Sequence, residues 1–137
     1  MATKRTVLIV DDIAFVRSML AQVLSENHFQ VVGEAENGIA AIEMFERTRP
    51  DVVLMDVVMP NLGGIEATRR ILKKHKEAKI IMCSAMAQES LVMEAINAGA
   101  RDYVLKPFSS QDILKAIHHV LQGGDLTQRR PNQRAVG

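Results

Sequence analysis

The sequence predicts a doubly wound α/β fold, a parallel sheet of five strands with helices on both faces. Two observations predict it. Four short runs, VLIV (7–10), VVLM (52–55), IIMC (80–83) and YVL (103–105), are apolar without alternation, and a fifth, QVVGEA (30–35), is more polar. Unbroken apolar runs rich in Val and Ile suit strands covered on both faces. Between these runs the spacing changes to that of helices. Strands alternating with helices, joined by right-handed crossovers, place helices on either side of one sheet.

Each helix shows its own apolar stripe. Val16, Met19, Leu20, Val23 and Leu24 form the first, Ala41, Ile42 and Phe45 the second, and Ile65, Thr68, Ile71 and Leu72 the third. Val92, Ala95 and Ile96 give the fourth, then Ile113, Leu114, Ile117, Val120 and Leu121 the fifth. Gly99 and Gly123 stand where a left-handed residue ends a helix, and Ser109 or Ser110 can cap the last one. Residues 1–123 form one expected domain. Residues 124–137, GDLTQRRPNQRAVG, are polar and aperiodic and are expected to be a flexible tail or linker stub of charge +2.

Composition excludes several classes of protein. A net charge of +1 gives no reason to expect direct nucleic-acid binding, and no stretch approaches the roughly 20 apolar residues of a membrane span. The apolar run near the N-terminus is too short for a signal peptide. Cys83, the one cysteine, excludes an internal disulfide and suits a reducing cytoplasm. There is no CxxC or HExxH, and His28, His75, His118 and His119 make no ligand spacing.

One residue contradicts its surroundings. Asp56 interrupts VVLMDVVMP (52–60), and an ionised side chain is costly to bury without compensation. The compensation lies at the other strand ends. In an open parallel sheet, ligands bind beyond the carboxyl ends of the strands. The residues just past the apolar runs are Asp11 and Asp12, Asp56, Ser84 and Lys106. Three carboxylates held close need a cation, and Mg²⁺ suits oxygen ligands that share a site with phosphate. Lys106 supplies a point charge and Ser84 a hydrogen-bond donor for a tetrahedral oxyanion. Asp56 can then act as nucleophile and form an acyl phosphate.

With these residues placed, VLIVDD, MDVVMPNLGG, CSA and YVLKPF together resemble the response-regulator receiver family, over roughly residues 5–122. The stretches CSAMAQESLVMEAINAGARDYVLKPF and VDDIAFVR are most similar to its chemotaxis members. The resemblance implies a flavodoxin-like (βα)5 sheet of order 2-1-3-4-5. It implies that Asp56 takes phosphate from a histidine kinase, with Mg²⁺ held by Asp12, by Asp11 through water, by Asp56 and by the Val58 backbone carbonyl. Lys106 would pair with phosphoryl oxygens, Ser84 would swing toward them, and Tyr103 would turn inward behind it. The Lys106–Pro107 bond is expected to be cis, a form normally reserved for X–Pro. Activation would reshape the face of the fourth helix, fifth strand and fifth helix, where a target such as the flagellar motor switch docks. Leu91, Val92 and Met93 are more consecutive apolar residues than one helix face buries, which suits that docking.

Two departures bear on function. Gly63 stands where many receivers are acidic. Val58 and Met86, the positions that the resemblance places beside the phosphoryl group, are both apolar. Neither can orient water, so slow self-dephosphorylation and a separate phosphatase are expected. On this reading the chain is a switch whose only chemistry is on itself, not an enzyme. Alternatives are the receiver of a larger or non-motility regulator or phosphorelay, and a Mg²⁺-dependent aspartyl-phosphate phosphohydrolase. The latter needs a second acid two residues past the nucleophile, where Val58 stands.

Overall fold

A computed structural model describes residues 3–125. Its elements alternate without exception: β1 (Arg5–Val10), α1 (Ala14–Glu26), β2 (Phe29–Ala35), α2 (Gly38–Thr48), β3 (Val52–Asp56), α3 (Gly64–Lys74), β4 (Ile80–Ser84), α4 (Glu89–Asn97), β5 (Asp102–Leu105) and α5 (Ser110–Leu121). The five strands form one parallel sheet in the order β2-β1-β3-β4-β5. The expected fold and strand order are therefore both found.

The unbroken apolar runs work because each strand feeds two cores at once. In β1, Leu8 and Val10 face one side while Val7 and Ile9 face the other. The first side continues through Val53, Met55, Met82 and Tyr103 to Phe45 of α2, Ile71 of α3 and Val92 of α4. The second runs through Leu54, Ile81 and Val104 to Leu24 of α1 and Ile117 of α5. Each fully buried Val, Leu or Ile contributes about 1.5–3 kcal/mol relative to exposure. The edge strand β2 needs less apolar character, and Val31 and Val32 are only half-buried.

Local signals set the ends. Ser109 caps α5 in a reciprocal box: its hydroxyl accepts from the Asp112 N–H, and the Asp112 carboxylate accepts from the Ser109 N–H. Gly99 follows α4 at φ 109°, a left-handed conformation that L side chains rarely adopt. Gly64 is required for a different reason. A Cβ there would lie 1.9 Å from the Asp56 carbonyl oxygen, so only glycine lets α3 start this close to the end of β3.

One expectation needs correction. Met19 is 39% exposed and does not join the core with Leu20 and Leu24. The expected polar tail starts at residue 124, and its first two residues are described. Gly124 is buried, and the His119 Nε2–H donates to the Asp125 carbonyl at 2.9 Å. The rest of that tail, residues 126–137, lies outside the described residues. Among the described residues no helix is long and apolar enough to cross a membrane.

Candidate functional site

The parallel register brings the strand ends to one edge of the sheet. Asp11 follows β1, Asp56 ends β3, Ser84 ends β4 and Lys106 follows β5. Backbone bonds hold these positions. The Asp11 N–H donates to the Ala35 carbonyl at 3.0 Å, and the Lys106 N–H donates to the Ser84 carbonyl at 2.8 Å. The Lys106–Pro107 peptide is cis. Asp11, Asp56 and Ser84 are buried, whereas Asp12 is exposed at the rim.

Carboxylate oxygens of Asp11, Asp12 and Asp56 all lie within 4.8 Å of one another. Lys106 Nζ is 2.8 Å from Asp11 Oδ2 and 3.5 Å from Asp56 Oδ1. The other Asp11 oxygen accepts the Ile13 N–H at 2.9 Å. Burial raises the Asp56 carboxyl to about 6; Lys106 opposes this, and the negative charges of Asp11 and Asp12 reinforce it. Burial also pulls the Lys106 ammonium down, but its hydrogen bond to Asp11 and the charge of Asp56 outweigh this and leave it raised. One ammonium is thus set against three carboxylates.

That imbalance favours a bound metal cation. Three oxygen donors this close, one of them exposed, suit a hard divalent cation that keeps some of its water. Asp11, Asp12 and Asp56 would hold it. Val58 lies two residues past Asp56 in the loop to α3 and is 60% exposed. Cys83 is buried, which pushes its thiol far up and leaves no thiolate for redox chemistry.

A second group of residues lies against the first. Ser84 Oγ accepts the Met86 N–H at 3.0 Å, and the Tyr103 hydroxyl donates to the Met86 carbonyl at 2.7 Å. Tyr103 is fully buried, and burial raises its phenol. The short stretch after β4 is therefore pinned from both sides by Ser84 and Tyr103. Met86 itself is 39% exposed.

Sequence reasoning missed Arg17 in α1. Its Nη1–H donates to the Asp11 carbonyl at 2.7 Å and its Nε–H to Glu34 Oε1 at 3.1 Å. A signal was present in the sequence: a cation in the first helical turn, unaccompanied by an acid, opposes the helix dipole and needs a reason. The close approach to the Asp56 carbonyl that requires glycine at 64 was also missed.

The family model described as response regulator receiver domain matches residues 7–118. Chemotaxis protein CheY of Bacillus subtilis (strain 168) is 49% identical over 115 residues, covering 84% of this chain and 96% of that protein. The transcriptional regulatory protein PdtaR of Mycobacterium tuberculosis is 44% identical over 116 residues, covering 85% of this chain but 56% of that longer protein. A chain of the CheX–CheY–BeF3–Mg²⁺ complex from Borrelia burgdorferi superposes with a TM-score of 0.82 at 30% identity, covering 85% of this chain and 88% of that one.

Proposed function

The chain belongs to the response regulator receiver domain family, and on that premise we propose that it is a phosphorylation-driven switch with Asp56 as phosphoacceptor. The observation that carries the proposal is the meeting of Asp11, Asp12, Asp56 and Lys106 at one sheet edge. The donor is a histidine kinase. An Asp56 oxygen attacks phosphorus, the O–P bond forms as the P–N bond of the phosphohistidine breaks, and the imidazole leaves carrying a proton. Lys106 neutralises phosphoryl oxygens as they approach, and the Ser84 hydroxyl turns from its bond with Met86 to donate to one of them. Bound Mg²⁺ would offset the charge of the carboxylates and the phosphoryl group. The Borrelia complex contains Mg²⁺ and BeF3, which supports the same metal here.

The output is a changed affinity for another protein, since phosphorylation biases an equilibrium between two conformations. Tyr103 and Ser84 share Met86, so movement of either is felt at the start of α4. The target docks on the face of α4, β5 and α5. Leu91 and Val92 pack inward there, and Met93 is 47% exposed. The chemotaxis relatives favour the flagellar motor switch as target and a cytoplasmic site of action. The exposed apolar residues Ile13, Phe15, Val58 and Met86 beside the site suit transient docking of the donor.

The likeness to PdtaR favours a second reading, in which the same switch serves a longer or non-motility regulator. Both readings treat the chain as a substrate that catalyses only its own modification. Val58 supplies no second acid, which speaks against a phosphohydrolase. Intact mass after incubation with acetyl phosphate, with and without Mg²⁺, tests the proposal. One added phosphoryl group requiring Mg²⁺ and absent from Asp56→Asn is expected. No gain by the folded wild type would overturn it.

A further inference from the structure

Arg17 pays a small helix-dipole penalty to be where it is. It is the fourth residue of α1, a helix with neither a side-chain cap nor an acid in its first turn. A cation there works against the positive end of the helix dipole. It is nevertheless withdrawn from solvent, its side chain 16% exposed, and used in two directions. Nη1 reaches the Asp11 carbonyl at 2.7 Å and Nε reaches Glu34 Oε1 at 3.1 Å. Glu34 lies on β2, one residue before the Ala35 whose carbonyl accepts the Asp11 N–H. The Asp11 backbone is thus held from the β2 side at both its polar groups, directly at N–H and through Arg17 at the carbonyl.

That carbonyl belongs to the peptide joining Asp11 to Asp12. Fixing it fixes the plane from which the Asp12 side chain departs, and Asp12 is the one exposed carboxylate of the cluster. The buried Asp11 side chain has its own anchors in Ile13 and Lys106. Asp12 has a rim position and depends on its backbone for direction. We propose that Arg17 is a positioning residue for the metal site, orienting the Asp11–Asp12 peptide so that Asp12 can share a divalent cation with Asp56. The inference rests on the receiver reading above.

Charge alone argues against Arg17, because a nearby cation repels Mg²⁺. The Glu34 carboxylate resolves this. It offsets the guanidinium charge and leaves the directional hydrogen bond. Two consequences separate orientation from field. Arg17→Lys keeps the charge but loses the two-way fork, and Glu34→Gln keeps the fork but exposes the charge. Both are expected to weaken Mg²⁺ binding, the lysine variant less than Arg17→Ala.

The test is Mg²⁺ affinity by titration calorimetry on the unphosphorylated full chain, with the Mg²⁺ dependence of acetyl phosphate uptake measured alongside. Arg17→Ala is expected to raise the Mg²⁺ dissociation constant about tenfold, the lower end for residues that orient metal ligands. The half-saturating Mg²⁺ for phosphoryl uptake should move with it. Val16→Ala, a loss of packing on the same helix, is the control for mere loosening of α1 and should leave Mg²⁺ affinity unchanged. Wild-type affinity in Arg17→Ala, or an equal loss in Val16→Ala, would overturn the inference and leave the receiver reading standing. A wild type that takes up neither Mg²⁺ nor a phosphoryl group would overturn both.

Discussion

Lys106 bonds Asp11 more closely than Asp56: its ammonium is 2.8 Å from the first carboxylate and 3.5 Å from the second. Asp11 is almost wholly buried and depends on this partner, whereas Asp56 is held by it more loosely. Removing the ammonium strands a buried charge, which costs more than the pair contributes net. Lys106→Ala should therefore lower unfolding free energy near pH 7.5 by about 2–4 kcal/mol, read from urea midpoints. Millimolar Mg²⁺ should restore part of the loss, since a bound ion stabilises the folded state. Phosphoryl uptake should remain impaired even with saturating Mg²⁺.

Asp56 gives the metal-free protein a signed pH dependence. Its folded value of about 6 lies above the ordinary 3.8, so between these values the folded state binds more protons than the unfolded one. Stability from this group is full below about pH 4 and is lost as pH rises through about 6. Asp56→Asn removes the effect. It should stabilise the protein by about 1–2 kcal/mol at pH 8, allowing for residual solvent screening, and by little at pH 4. Urea unfolding at the two pH values checks this. A variant equally stabilising at both would contradict the cause assigned here.

The sequence made the two-faced strands and the polar strand ends legible because both follow from short-range patterns. VLIV could only be satisfied by burial on both sides, and each apolar run ended on a residue that burial alone would reject. Met19 was misread because a stripe of five apolar residues is wider than the face α1 buries. It lies about 100° around the helix from Leu20 and falls outside the arc centred on Leu20 and Leu24. Arg17 and Gly64 were hard to read for another reason, although the uncompensated cation in the first turn of α1 was a signal. Each acts on a backbone carbonyl, of Asp11 and Asp56 respectively, and backbone partners have no sequence pattern of their own.

Gly64 allows a direct test of how tightly the proposed phosphoacceptor Asp56 is held. A methyl group at this position overlaps the Asp56 carbonyl, and backbone on both sides must shift to relieve it. Overpacking of this kind typically costs about 1–3 kcal/mol. Gly64→Ala should show that loss in urea unfolding together with slower phosphoryl uptake. Gly63→Ala meets only the Val57 carbonyl at 3.2 Å and should be milder in both measurements.

Tyr103 should separate the switch from the chemistry. Its hydroxyl donates to the Met86 carbonyl, and it lies behind Ser84 rather than among the carboxylates. Tyr103→Phe keeps the ring that fills the core and deletes one hydrogen bond, at a cost of about 1 kcal/mol. Acetyl phosphate should still modify Asp56, as followed by intact mass. Phosphorylation-dependent protection of α4 in hydrogen exchange should shrink, because the tie from β5 to Met86 is gone.

The lifetime of the phosphorylated state follows from the rim of the site. Val58 is 60% exposed and Met86 39% exposed, and neither side chain has a group that can direct a water molecule at phosphorus. Attack in line with the Asp56–phosphoryl bond then depends on undirected water. After donor removal, phosphate should leave the purified protein slowly. Met86→Gln places an amide where the thioether was without altering its backbone bonds to Ser84 and Tyr103. It should speed loss of phosphate several-fold, within the roughly 10²-fold or greater gain open to a well-placed acid–base group. Following intact mass over time compares the two proteins. Rapid loss from the wild type would show that some other group orients the water.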